Sequence, residues 1–147
     1  MVGTRMKGDW FRHDMSDVHP DAKIGQGTRI GAFTYIEGDV VIGQWCVIKQ
    51  HVFIPNGTRI GDKVFIGPGA ILTNDKYPVA NNPKFEEDGV TILDGARIGA
   101  GAVILPGVIV GKNAMVGAGS VVTHGVDDGC TVFGNPARRD DPLTRTL

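Results

Sequence analysis

The sequence predicts an all-β solenoid of stacked parallel strands, and two superimposed periodicities predict it. A large aliphatic residue returns at every sixth position as Ile24, Ile30, Ile36, Ile42, Ile48, Ile54, Ile60, Ile66 and Leu72, then, after one interruption, as Ile92, Ile98, Ile104, Val110, Val116 and Val122. Two positions before each stands a small or β-branched residue, from Ala22, Thr28 and Thr34 through Cys46 to Ala114 and Ser120. A period of six fits neither a helical face, which repeats every ~3.6 residues, nor plain strand alternation. It fits a short strand with two inward side chains followed by a tight corner, repeated.

The corners are written in the residues that corners need. Gly25, Gly31, Gly43, Gly61, Gly67, Gly99, Gly111 and Gly117 directly follow the aliphatic, and Pro68-Gly69 and Pro106-Gly107 fill the next two places. Three hexads close one triangular coil of about eighteen residues, and coils stack roughly 4.8 Å apart through backbone hydrogen bonds. The beat predicts about five coils over residues 18–139, preceded by an extension or cap at 1–17 and followed by a tail at 140–147.

A net charge of −1 on 147 residues gives no reason to expect nucleic acid or an anionic membrane as partner. No apolar run is long enough to span a bilayer. Lys7, Asp9, Arg12 and Asp14 stand where a secretory signal needs an apolar core, so the expected location is cytoplasmic. Cys46 falls on an inward small-residue position and Cys130 lies past the last regular hexad, which predicts packing rather than a disulfide or a nucleophile.

The residue before each inward aliphatic points outward, and residues eighteen apart share a face. That places Tyr35, Phe53 and Ile71 in one outward column and Arg29, Val47 and Phe65 in another. Apolar columns on a small solenoid predict an oligomer. Between Leu72 and Ile92 the beat is lost over residues 73–89, an ejected loop carrying Tyr77, Pro78, Pro83 and Phe85. Solenoids tolerate such insertions at corners, and function is commonly placed on them.

Three stretches carry a family resemblance: Phe65 through Thr73-Asn74-Asp75-Lys76-Tyr77-Pro78, then Gly117-Ala118-Gly119-Ser120, then Gly134-Asn135-Pro136-Ala137-Arg138. Together they resemble the hexapeptide acyltransferases, and the Thr-Asn-Asp-x-x-Pro loop entry resembles the branch that acetylates a 3-amino group on UDP- or dTDP-linked hexoses. The resemblance covers about residues 18–139. It implies a left-handed parallel β-helix, a homotrimer with sites between subunits, acetyl-CoA as co-substrate, no metal, and a place in surface polysaccharide biosynthesis.

Acyl transfer from a thioester to an amine requires a neutral amine, close placement and a donor for the oxyanion. Asn74 resembles the family's active-site Asn. Asp75 is a candidate proton acceptor, and His51 is the candidate for a conventional base. Gln50, Lys76 and Tyr77 are the candidate substrate contacts. For coenzyme A, related proteins use the groove between two solenoids, which implies Ala100, Gly101, Ala118 and Gly119 along the backbone and Asn135, Pro136 and Arg138 at the far end.

Two other readings stay open. Sugar O-acetyltransferases of this fold place a histidine in the loop, where this chain has Tyr77-Pro78. A non-catalytic solenoid would present outward threonine arrays and would not need the loop, whereas Thr28, Thr34 and Thr58 are at inward positions.

Overall fold

The computed structural model describes residues 4–141, in which every regular element is a strand, most of them two residues long. The strands fall on three faces. Face one stacks Trp10–His13, Arg29–Ile30, Val47–Ile48, Phe65–Ile66, Arg97–Ile98, Met115–Val116 and Thr131–Phe133. Face two stacks Asp17–Val18, Tyr35–Ile36, Phe53–Ile54, Ile71–Leu72, Val103–Ile104 and Val121–Val122. Face three stacks Lys23–Ile24, Val41–Ile42, Arg59–Ile60, Thr91–Ile92 and Ile109–Val110. All of these pairings are parallel and keep one register: Ile48 lies between Ile30 and Ile66, and Phe53 between Tyr35 and Ile71.

Both inward positions of each hexad build the core. Ile36, Ile54, Ile66, Leu72, Ile92, Ile98 and Ile104 have no accessible surface, and each apolar side chain of that size withdrawn from water contributes about 1.5–3 kcal/mol. The inward threonines are as deeply buried, and each hydroxyl donates to a backbone carbonyl: Thr28 to Gly43 at 2.8 Å, Thr34 to Lys49 at 2.7 Å, Thr58 to Pro55 at 2.7 Å. Cys46 donates its thiol to the Gly61 carbonyl at 3.0 Å, and burial pushes that thiol above its ordinary value, so it is a core residue and not a reactive one.

The solenoid is longer than the expected five coils. Face one has nine strands, and since the two outermost run antiparallel to their neighbours, seven parallel strands remain. Two substitutions hide the first coil from the aliphatic beat. Arg12 pairs with Ile30 in register, standing where an aliphatic belongs, and Trp10 is buried two positions earlier, where the repeat has a small residue. Ser16 and Val18 then follow the inward pattern, both buried. The segment expected as an extension at 1–17 therefore supplies a coil from Trp10 onward, and Thr4–Lys7 folds back on Trp10–His13 as an antiparallel hairpin. At the other end Met115 pairs with Thr131, a step of sixteen instead of eighteen, so the last coil is short by two residues. Of the expected tail at 140–147, only Asp140 and Asp141 fall within the described residues.

Three kinds of corner join the faces. From face three to face one, aspartates bind the coils together: Asp62 Oδ1 accepts the Gln44 N–H and Asp94 Oδ1 the Asp62 N–H, each at 2.8 Å. From face one to face two runs a ridge whose left-handed positions are Phe33, His51, Gly69, Gly101 and Gly119. From face two to face three lies the corner from which the loop leaves.

Candidate active site at the loop corner

The loop is closed at its base. After Leu72 completes face two, the Asn74 carbonyl accepts the Asp88 N–H at 2.9 Å, and Val90 re-enters the core two residues later. The Asn74 side chain points back to the coil above, where Nδ2 donates to the Asn56 carbonyl at 3.0 Å. Asn56 in turn ties down two neighbours: its N–H donates to Glu37 Oε2 at 2.6 Å, and its Oδ1 accepts the Asp39 N–H at 2.8 Å. Asp39 pairs with Arg59 at 2.8 Å, and the same guanidinium donates to the Asp39 and Thr58 carbonyls. Glu37, Asn56 and Asn74 are thus held by backbone contacts that span three coils.

The loop brings a further carboxylate to this corner. Glu87 lies over Gly57, whose φ is 83°, and a Cβ there would come within 3.1 Å of the glutamate side chain, so the missing side chain makes room. Burial pushes the Glu87 carboxyl up, with the nearby Asp39 and Glu37 acting in the same direction against Arg59. Two clefts meet here. One of 380 Å³ is lined by Glu37, Phe53, Asn56, Asn74, Phe85 and Glu87 among others. The other, of 530 Å³, is lined by His19, Asp21, Tyr35, Glu37, Asp39 and Asn56. Glu37 and Asn56 form the wall common to both. Tyr35 and Phe53 stack beside it with ring centroids 6.0 Å apart and planes 2° from parallel.

Only part of the expected constellation assembles within one chain. Asn74 and Asp75 line the 380 Å³ cleft, but Asp75 Oδ1 accepts the Tyr77 N–H at 3.1 Å in a turn that opens the loop. Lys76 and Tyr77 are on the loop's other side, lining a 340 Å³ cleft, with the ammonium 5.7 Å from the ring centroid. Gln50 and His51 are at the other edge of face two, on the ridge. His51 stacks on Phe33 at 5.0 Å, and Gln50 lines a 200 Å³ cleft with Arg29 and Lys49. Ala100, Gly101, Ala118 and Gly119 continue that ridge below His51, joined by Gly101 N–H to the Pro68 carbonyl and Gly119 N–H to the Ala100 carbonyl. Asn135 and Pro136 turn the chain between Thr131–Phe133 and Arg138–Arg139, and Arg138 lines a 290 Å³ cleft at the solenoid's end. Among the described residues no group of His, Cys, Asp and Glu is arranged to hold a metal ion.

Sequence reasoning missed Glu37, Asn56, Asp39, Glu87 and His19 as lining residues. One signal was present. Glu37 stands directly after an inward aliphatic of face two, where the other coils have His19, Pro55, Thr73, Leu105 and Thr123, so it is the one carboxylate among the six. His19 was hidden with the first coil.

The chain is a hexapeptide-repeat solenoid with one loop built out from a corner, and the bacterial transferase hexapeptide pattern, with six repeats, matches residues 21–56 and 89–124. The chain is 38% identical over 133 residues to GDP-perosamine N-acetyltransferase of Escherichia coli, a match covering 87% of this chain and 54% of that protein. A perosamine N-acetyltransferase from Caulobacter crescentus, solved with CoA and GDP-perosamine, superposes with a TM-score of 0.79 at 28% identity, over 90% of this chain and 56% of that one. AntD, an N-acyltransferase from Bacillus cereus, shares the fold at a TM-score of 0.86 and 21% identity, over 96% of this chain and 91% of the other. The chain thus spans about half the length of the perosamine enzymes it matches.

Proposed function

We propose that this chain is the catalytic solenoid of an N-acetyltransferase that moves an acetyl group from acetyl-CoA to the amine of a nucleotide-linked amino sugar. The observation that carries the reading is Asn74. It is fixed to a rigid coil by Asn56 and Asp88 and lines a cleft formed partly by the ejected loop, the mount that a positioned polar group needs. The perosamine enzymes, which take GDP-linked amino sugars and CoA, support the substrate class.

The bare ridge supports the donor. Phe33 and His51 hold left-handed φ values of 60° and 58° with full side chains, so the fold accepts side chains there at a cost of about 1 kcal/mol each. A Cβ at Gly101 or Gly119 would meet nothing within 4 Å. The lower ridge is open enough for a pantetheine chain to reach backbone amides, and Arg138 at the solenoid's end is the candidate for a phosphate contact. Ridge and loop corner lie on opposite edges of face two, so one chain does not join them. A homotrimer in which the ridge of one copy faces the loop corner of the next brings donor and acceptor together. The acetyl-CoA donor puts the reaction in the cytoplasm.

The test has two parts. Acetyl-CoA should raise the melting temperature, because a ligand of the folded state stabilises it. Thiol release should then appear with a GDP-, UDP- or dTDP-linked amino sugar and not with the corresponding hydroxyl sugar. No shift and no thiol release would overturn the reading.

A further inference from the structure

We infer that Glu37 is the proton acceptor for the attacking amine, an assignment that rests on the acyl-transfer reading above. An amine of ordinary basicity is mostly an ammonium near neutral pH, and only its deprotonated form has the lone pair that attacks a thioester. The acceptor of that proton must stand where the two substrates meet, on a rigid mount.

Glu37 satisfies both requirements. It is in the wall shared by the 380 and 530 Å³ clefts, the first of which Asn74 also lines. Oε2 accepts the Asn56 N–H at 2.6 Å, which anchors the carboxylate in that wall. The position itself argues for a role beyond the fold, since the equivalent places on the other coils of this corner hold His19, Pro55, Thr73, Leu105 and Thr123, so a carboxylate is not required to turn it.

The earlier candidates fit less well. Asp75 is committed to the Tyr77 N–H, and His51 is on the other edge of face two. His19 accepts the Asp21 N–H on Nδ1 at 3.2 Å, which leaves Nε2 carrying the proton in the neutral ring. The groups facing Glu37 are His19, Asp21 and Asp39 on the solenoid, Arg59 behind Asp39, and Asp75 and Glu87 on the loop. Arg59 is already paired with Asp39, so the balance around Glu37 is negative and welcomes an ammonium.

The ammonium passes one proton to Glu37, and the freed lone pair on nitrogen attacks the thioester carbonyl carbon. The tetrahedral intermediate collapses with cleavage of the C–S bond, the electron pair leaving on sulfur. The thiolate takes the second proton from nitrogen, giving amide and free thiol, and Glu37 returns its proton to water.

Glu37→Gln separates base from anchor, because the amide oxygen still accepts the Asn56 N–H. Against acetyl-CoA and the amino-sugar nucleotide that the wild type turns over, this variant should be about a hundredfold slower at pH 6.5. The deficit should shrink as pH rises and the amine deprotonates unaided, with KM for acetyl-CoA and melting temperature unchanged. Glu37→Gly removes the side chain at a corner that the other coils turn without a carboxylate, and it should be rescued by added formate. A Gln-to-wild-type ratio that is flat in pH, together with no formate rescue of the Gly variant, overturns the assignment of Glu37 alone. A wild type that releases no thiol with any amino-sugar nucleotide overturns the acyl-transfer reading, and Glu37 with it.

Discussion

Asn74 hangs by its side-chain amide from the backbone carbonyl of Asn56, one coil above, at 3.0 Å. The contact uses one of the two Nδ2 hydrogens. The residue also lines the 380 Å³ cleft, and its backbone closes the loop through Asp88. A positioned polar group and a structural fastener are the same side chain here, so its removal should register twice.

Asn74→Ala is therefore expected to lower stability by about 1 kcal/mol through the lost hydrogen bond. It should also lower turnover on the folded protein by about a hundredfold, the scale for one positioned donor in acyl transfer. Urea unfolding and single-turnover rates measure the two separately. A normal rate in a slightly less stable protein would make Asn74 a turn former only.

Glu87 gives the loop a pH dependence. Its carboxyl is pushed up by burial first and by Asp39 and Glu37 next, so the folded state favours the protonated form more than the unfolded chain does. The sign follows: the contribution to stability is present below the ordinary glutamate range and is lost as pH rises through the raised value. Glu87 is largely solvated, so the effect is small. Glu87→Gln should leave the melting temperature unchanged near pH 4 and raise it slightly near pH 8, with loop proteolysis slowed in step. Equal melting curves at both pH values would show that the loop's docking does not involve this carboxylate.

The aspartate corner offers a test of the solenoid by itself. Asp94 Oδ1 accepts the Asp62 N–H, and Asp62 Oδ1 accepts the Gln44 N–H, so the side chains continue the coil-to-coil bonding that the strands begin. Asp94→Ala should cost about 1.5 kcal/mol in urea unfolding, the low end for a hydrogen bond to a charged group because the bond is exposed, while Asp94→Asn keeps an acceptor and should cost less. Turnover should be unaffected in both, because the corner from face three to face one is remote from the loop.

The fold was legible wherever the repeat wrote itself in single residues. Inward aliphatics, inward threonines, the outward columns and the loop's exit point all follow from a six-residue period, because each depends on one residue and its neighbours in the same hexad. The first coil was not legible, because Trp10 puts a large ring at the small-residue position and Arg12 a cation at the aliphatic one, which breaks the spelling while keeping the register. The site was legible only in its loop half. Asn74 and Asp75 are next to a visible interruption, whereas Glu37, Asn56 and Glu87 come together only when coils separated by eighteen residues stack and the loop folds back. His51 and Gln50 were drawn into the same expectation by residue type, and the triangular cross-section carries them to a different corner.

Assembly is the last expectation, and the two outward columns now separate. On face one Phe65 lies between Val47 and Arg97, with Arg29 beyond Val47, so guanidiniums interrupt that column. On face two Tyr35, Phe53, Ile71, Val103 and Val121 run without a charge, and Ile71 is 42% exposed in the single chain. An uncharged column of that length, flanked by the bare ridge on one side and the loop corner on the other, is the surface we propose for a neighbouring copy. Ile71→Glu should dissociate the oligomer to monomer, since an unpaired carboxylate in an apolar contact costs several kcal/mol. Phe65→Glu should leave assembly intact, because Arg97 stands next to it in register to receive the charge. Sedimentation velocity on both variants and the wild type decides it. A trimer that survives Ile71→Glu and falls apart with Phe65→Glu would move the interface to face one, and a monodisperse wild-type monomer would remove the assembly on which the shared site depends.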